Sequence, residues 1–188
     1  FEFSKVTDYT VSKDGSQFLF ASISDDTLKN CTISIFDTKN AESKVVFSQK
    51  GEADGLALDY AANQAAFLFT ADTGKVKIFD LYYHTAKEGI RKIVTSETPG
   101  MVKGWAINNN FTPYFSDKGN RLFVGTAPKP IDEPKDTLTD DEKAVFDLWS
   151  WTDTLLQTQQ LVDLKENAKR SFLAVYHIKD KRFVQLAN

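Results

Sequence analysis

The sequence predicts an all-β fold, and three observations support this prediction. Residues that favour strands are abundant, because 15 Phe, 6 Tyr and 3 Trp accompany a single Met. Short apolar segments are separated by polar turn sequences that contain Asp, Lys and Gly. A pattern of four short strands recurs along the chain with a period in the forties. Together these features predict consecutive four-stranded antiparallel sheets.

Composition excludes several classes of protein. With 188 residues, 41% hydrophobic and 26% charged, the chain has a globular composition and enough length for a sizeable core. Its net charge of −3 is not arranged in long blocks, which argues against a nucleic-acid partner. No apolar run approaches the roughly 20 residues that cross a bilayer. Cys31 is the only cysteine, so the sequence predicts neither an internal disulfide nor a zinc site built on paired cysteines.

The first half of each repeat is a hairpin. Glycine adopts positive φ without steric cost, so Gly15 and Gly119 are typical of tight turns between alternating strands. The second copy has no glycine in its turn, and we predict either a longer turn or a turn that uses Asn63. The three predicted hairpins run from Tyr9 to Phe20, from Leu56 to Phe69 and from Thr112 to Val124.

The second half of the repeat begins with a strand that ends in aspartate. These predicted strands end at Asp37 and Asp80, 43 positions apart, while Val11 and Leu58 in the preceding hairpins are 47 positions apart. Four strands in such a period are typical of a β-propeller blade. The alternative is a meander of unrelated hairpins in a β-sandwich.

We therefore expect about three blades, at about residues 6–50, 51–98 and 99–188. The third is interrupted at about 128–170 by a proline-rich loop, a strand through Trp149 and Trp151, and one helix. Thr154 and Gln157 have the spacing of a capping box, and Leu161, Leu164 and Ala168 follow at helical intervals. Closed propellers usually have four to eight blades, so the chain is expected to form an arc of a larger ring.

Two stretches carry a family resemblance. The sequence Ser-Asp-Lys-Gly-Asn-Arg-Leu-Phe at 116–123 resembles the repeats of Tol-type propellers and of propellers in the prolyl oligopeptidase and dipeptidyl peptidase family. The segment Phe146–Asp153, followed by Leu156–Gln160 and Ala174–His177, is similar to part of secreted prolyl-oligopeptidase-like peptidases of Bacteroides-type bacteria.

This resemblance implies a parent protein that is periplasmic or secreted, in which further blades and a C-terminal α/β-hydrolase domain complete the molecule. The hydrolase serine of that family lies in a Gly-x-Ser-x-Gly elbow, and the present chain contains no such pentapeptide. With His84 and His177 as its only histidines, it also lacks a recognisable triad. We therefore assign no catalytic, cofactor-binding or metal-ligating residue and expect no cofactor.

Five residues are candidates for contact with a substrate or partner. Trp149 and Trp151 lie two positions apart and would share one face of a strand, as a recognition platform or as packing beneath the inserted helix. Asp140, Asp141 and Glu142 form an acidic patch that is either solvated surface or a contact for a partner domain or a substrate amine. Asp37 and Asp80 are expected to cap the turns that follow them.

Two functional hypotheses follow. In the first, the chain is the non-catalytic propeller segment of a prolyl-oligopeptidase-like serine peptidase and gates or positions peptide substrates. In the second, it is a non-enzymatic propeller that acts as a scaffold or peptide-binding module of the cell envelope, since a fold does not dictate a function.

Overall fold

The computed structural model of the chain describes residues 1–24, 30–132, 139 and 150–187. Within these residues, regular secondary structure is almost all β-strand. The elements are β1 (Val6–Val11), β2 (Gln17–Ile23), β3 (Asn30–Asp37), β4 (Glu42–Lys50), β5 (Glu52–Leu58), β6 (Gln64–Thr70), β7 (Asp80–Thr85), β8 (Gly89–Val94), β9 (Trp105–Ile107), β10 (Tyr114–Phe115), β11 (Arg121–Pro128), α1 (Gln157–Ala168), β12 (Phe172–His177) and β13 (Arg182–Gln185).

The strands form three antiparallel sheets that follow one another along the chain. The first sheet has the order β1-β2-β3-β4, and the second has the order β5-β6-β7-β8. In the third, β10-β11-β12-β13 repeats this order, and β9 also pairs with β11. Pro113 lacks the N–H that a strand ladder requires, and it directly precedes β10. The β-sandwich alternative is wrong, because three sheets succeed one another instead of two sheets facing each other.

Two hydrophobic cores lie between successive sheets, and both include residues of β6. Phe67 belongs to the core between the first and second sheets, whereas its neighbour Leu68 belongs to the core between the second and third. Both side chains are fully buried. Since adjacent residues of a strand point to opposite faces, the second sheet is covered on both sides. This explains why Ala65–Phe69 is continuously apolar instead of alternating.

The first turn of every sheet has the same length and the same hydrogen bonds. Its opening residue is Ser12, Asp59 or Ser116, and the side-chain oxygen of that residue accepts a bond from the backbone N–H five positions later, at 2.8–3.2 Å. The fourth residue donates its own N–H to the opening carbonyl, at 2.7–3.0 Å. In the first sheet, the hydroxyls of Ser12 and Ser16 and the Ser16 N–H stabilise the Asp14 carboxylate and lower its pKa to about 2.

The fourth residue of each turn has positive φ. Gly15 and Gly119 take this position with φ of 69° and 63°, as the sequence predicts. In the second turn the position belongs to Ala62, with φ of 56°. The prediction of a longer turn or one that uses Asn63 is therefore wrong. The Asp59 carboxylate accepts bonds from two backbone N–H groups, which holds the alanine in a conformation that L-residues rarely adopt.

Replacing Ala62 with Gly should raise the free energy of unfolding by about 0.5–1 kcal/mol. The left-handed conformation costs an alanine roughly 1–2 kcal/mol, and glycine removes this cost. Part of the gain in stability is offset because glycine loses more backbone entropy than alanine on folding. The matched control is Ala61→Gly, where φ is not positive and a small loss is expected. Urea unfolding measures the change in the free energy of unfolding for both variants, provided that the m-value is unchanged. Equal losses in the two variants would contradict the strain at Ala62.

The third strand of the second sheet does not lie where the alternation of residues 76–80 predicts it. Asp80 begins β7 and pairs its carboxylate with Lys92 at 2.7 Å, so it does not end a strand or cap a turn. Phe79 instead forms an isolated bridge with Ile107 of the third sheet and enters the core there. The residue equivalent to Asp37 is Thr85, because these two pair with Gln17 and Gln64 at the starts of β2 and β6.

Aromatic side chains cover the outer faces of the first and third sheets. On the first sheet, the Phe3 ring lies 4.6 Å from the ring of Phe20. On the third, Tyr114 stacks on Phe123 at 5.0 Å. Phe20 occupies the same position in β2 as Phe67 in β6, since each lies three residues after the start of its strand. One face of each terminal sheet is thus covered by a few rings rather than by another sheet.

Residues 131–170 form a separate compact unit that contains α1. The predicted capping box at Thr154 and Gln157 is wrong by two residues, because the helix is capped at Leu156. The Gln159 side chain accepts a hydrogen bond from the Leu156 N–H at 3.2 Å, and leucine has no side-chain oxygen to return it. The predicted apolar stripe is exposed, with Leu161 and Leu164 at 51% and 62% of their full accessibility.

Candidate functional site

The edge strands β1, β5 and β10 of the three sheets lie next to one another, and β1 and β5 carry aspartates at the same level. Asp8 of β1 pairs with Ala21, and Asp54 of β5 pairs with Leu68 at the equivalent position of β6. The Asp8 carboxylate reaches the second sheet, and the Asp54 carboxylate reaches the turn between β9 and β10. The Asp54 carboxylate accepts a bond from the Asn109 side chain at 2.8 Å, and that of Asp8 accepts a longer one from a backbone N–H of β5 at 3.4 Å.

A small cavity of about 110 Å³ lies where the three first turns meet, at the ends of β1, β5 and β10. The second residue of each turn lines it, namely Lys13, Tyr60 and Asp117. The Lys13 ammonium lies 4.8 Å from the centre of the Tyr60 ring, a cation–π contact between successive sheets. We call this cavity the axial mouth. It presents a cation, an aromatic ring and a carboxylate where the ends of β1, β5 and β10 meet.

Behind the axial mouth, a polar network joins the second and third sheets. The Gln64 amide donates to the Asp59 carboxylate at 3.1 Å and to the Gly119 carbonyl at 3.0 Å. Its oxygen accepts a bond from the Tyr83 hydroxyl at 2.6 Å. Burial raises the pKa of Tyr83. Because both oxygens of the buried Asp59 carboxylate are hydrogen-bonded, the network stabilises the contact between the sheets and offers no free base.

His84 lies in a separate cleft of about 270 Å³ between the first and second sheets. Burial, and then the nearby Lys44 ammonium, lower the pKa of His84, which favours the neutral imidazole at pH 7. Asp37 lines the same cleft, and its carboxylate accepts bonds from the N–H groups of Lys39 and Asn40, so it caps its turn as predicted. Among the residues that the structure describes, no three His, Cys, Asp or Glu side chains are grouped as a metal site would require.

Of the five residues that the sequence nominates for contact, Trp149, Asp140, Asp141 and Glu142 lie outside the described residues. Trp151 lies in a turn and is 86% exposed. The alternative that Trp151 packs beneath the helix is therefore wrong. The residues of the axial mouth were not predicted. The sequence does contain a signal for them, because each is the second residue of a repeated turn.

Comparison with known proteins identifies the fold. No protein-family model and no curated protein matches the sequence. Among solved structures, the β-propeller domain of the Trilobed protease from Pyrococcus furiosus matches 100% of this chain with a TM-score of 0.57 and 10% identity. The fold is that of β-propeller blades. The predicted all-β architecture of antiparallel blades with one inserted helix is thereby confirmed, and the three sheets are called blades from here on.

Two further structures show the same fold. The putative TolB from Agrobacterium tumefaciens matches 97% of this chain with a TM-score of 0.55 and 11% identity. A structure of prolyl endopeptidases matches 98% with a TM-score of 0.52 and 13% identity. The chain spans 44% of the Trilobed protease domain, 50% of the TolB chain and 22% of the prolyl endopeptidase chain. At such low identities the likeness shows the fold alone. In the described part of the chain, no helix has the length and hydropathy to cross a bilayer.

Proposed function

We propose that the chain is the propeller segment of a prolyl-oligopeptidase-like serine peptidase, in which it admits and positions peptide substrates. The observation that carries this proposal is the axial mouth, where the first turns of three successive blades meet. A hydrolase domain outside these residues, together with further blades, would complete the protein, which we place in the periplasm or outside the cell. The likeness to blades of the Trilobed protease and of prolyl endopeptidases supports this assignment.

The chemistry of the axial mouth suits an extended peptide. The exposed Tyr60 ring offers an apolar surface, while Lys13 and Asp117 can pair with charges of either sign. Rigid sheets around a narrow opening admit an unfolded segment and exclude a folded domain by size. Peptide hydrolysis itself would occur in the hydrolase domain, since these 188 residues contain no Gly-x-Ser-x-Gly elbow.

The decisive experiment measures peptide hydrolysis by the full-length gene product and not by these 188 residues alone. Tyr60→Ala or Lys13→Gln should raise KM for a peptide substrate about two- to fivefold, the range of an exposed aromatic or cation–π contact. Hydrolysis of a small ester that needs no positioning should not change. Lys39→Gln is the matched control, because it removes the same charge from a turn that does not line the axial mouth.

Two outcomes would overturn the proposal. One is equal loss of peptide and ester hydrolysis in the axial variants. The other is labelling of the isolated 188-residue chain by a fluorophosphonate probe, which would place a reactive serine within these residues.

The second candidate is a non-enzymatic scaffold or peptide-binding module of the cell envelope, favoured by the likeness to the putative TolB. A full-length gene product that contains no hydrolase domain and binds peptides without cleaving them would favour this candidate.

A further inference from the structure

A larger groove of about 560 Å³ lies between the second and third blades and shares no lining residue with the axial mouth. Its walls are the turns between the third and fourth strands of these blades, residues 86–88 and 178–181. We call it the basic groove. Ile178 and the exposed Ala86 give it apolar surface, and Ile178 also packs against the core between these blades.

The charge of this groove is strongly one-sided. Four cationic side chains line it, from Lys87, Arg91, Lys179 and Lys181, against the single carboxylate of Glu88. Asp180 belongs to the same turn as two of these lysines but does not line the groove. This excess of positive charge is local, since the whole chain carries a net charge of −3.

Arg91 already has a partner, whereas the three lysines have no ion-pair partner among the described residues. The Arg91 guanidinium pairs with Glu88 at 2.8 Å and lies 5.6 Å above the Tyr83 ring, so one cation and the single carboxylate offset each other. Within the described ranges, none of the three lysines forms an ion pair with a carboxylate. Their ammonium groups are exposed and available to an incoming anion.

The basic residues arise at corresponding positions of the repeat. Lys87 and Lys179 each lie two residues after the last residue of the third strand of their blade. Lys39 takes this place in the first blade, but the neighbouring cleft is lined by two carboxylates, of Asp37 and Glu42, against the single ammonium of Lys44. The groove between the second and third blades therefore has an excess of positive charge, whereas the cleft between the first and second has an excess of negative charge.

We infer that the basic groove binds an acidic peptide segment in which carboxylate side chains alternate with apolar ones. The lysines match the carboxylates in charge, and Ile178 and Ala86 match the apolar side chains. A small inorganic anion would leave the apolar surface uncovered. Nucleic acid is disfavoured because the basic residues are confined to one short groove and the chain as a whole is acidic. The inference does not depend on the peptidase role, because it concerns binding by these blades alone.

The test is fluorescence anisotropy with the full chain and the fluorescein-labelled peptide Glu-Leu-Glu-Tyr-Glu-Leu-Glu. Lys87→Gln with Lys179→Gln should weaken binding about fivefold, which lies within the range for the loss of two exposed ion pairs. Added salt should weaken it further, because exposed charges are screened. The matched control is Lys39→Gln with Lys103→Gln, which removes the same net charge from exposed sites outside the groove and should leave affinity within about twofold.

Several results would overturn the inference. The first is absence of saturable binding, and the second is equal affinity for the analogue in which every Glu is Gln. Equal weakening by the control pair would show a dependence on net charge alone. Displacement of the peptide by an equal concentration of inorganic phosphate, or tighter binding of a thymidine oligonucleotide, would assign the groove to a different ligand. All four substituted lysines are exposed, and unchanged melting temperatures of the variants would exclude misfolding as the cause.

Discussion

Replacing Phe67 with Ala should lower the free energy of unfolding by about 3–5 kcal/mol, the range for truncating a fully buried phenylalanine. Its ring has no exposed surface and lies 5.3 Å from that of Phe47 in the first blade. It also stacks on Tyr82 in its own blade at 5.4 Å. The cavity would open in the middle of the contact between two blades, where the surrounding sheets cannot collapse to fill it.

The matched variant is Phe20→Ala, which makes the same change at the same blade position. Phe20 is covered by Phe3, whose own side chain is 39% exposed, so the N-terminal segment can move to fill the space. A smaller loss is expected there, and urea unfolding of both variants measures the difference. Equal losses would mean that the contacts of Phe67 between two blades contribute no more to stability than the contacts of Phe20 with the N-terminal segment.

Gly119→Val should cost about 3 kcal/mol or more, and Gly15→Val only about 1–2 kcal/mol. Both glycines have positive φ in the same turn, so both substitutions introduce the strain of a left-handed β-branched residue. Only Gly119 is also crowded, because a Cβ there would lie 2.6 Å from the Gln64 side-chain nitrogen. That amide would have to move, which breaks bonds to the Asp59 carboxylate and the Gly119 carbonyl.

Thermal and urea denaturation of the two valine variants, with Gly119→Ala as an intermediate case, would measure this difference. Since no atom lies within 4 Å of a Cβ at Gly15, that variant reports the backbone strain alone. Equal destabilisation at the two positions would show that the polar network between the second and third blades adds nothing to stability.

The hairpins could be predicted from the sequence because their signals are local. Gly15 and Gly119 mark turns that depend on six consecutive residues, and the closing hairpin at 172–186 is equally local. Ala62 could not be predicted, because the two backbone bonds to Asp59 that hold its strained conformation leave no mark in composition. The strand at 80–85 was missed since Phe79 is fixed by Ile107 of another blade, a contact that alternation along one segment cannot reveal.

The axial mouth and the basic groove were not predicted, although the residues of the axial mouth share one place in their turns. Each depends on turns that are far apart in the chain and meet only once the blades are stacked. Lys13 and Tyr60, for example, are 47 positions apart and become neighbours through the register of two sheets. The predicted contact residues, by contrast, were identified from local patterns alone: two tryptophans two positions apart and three adjacent acidic residues.

The placement of β6 links the two halves of the molecule. Because β6 supplies side chains to both cores, loosening of one core affects the other, whereas neither core joins the first blade directly to the third among the described residues. Amide hydrogens of β6 should therefore exchange more slowly with solvent than those of β2 or β11. On warming, the first and third blades should lose protection from exchange before the second blade does.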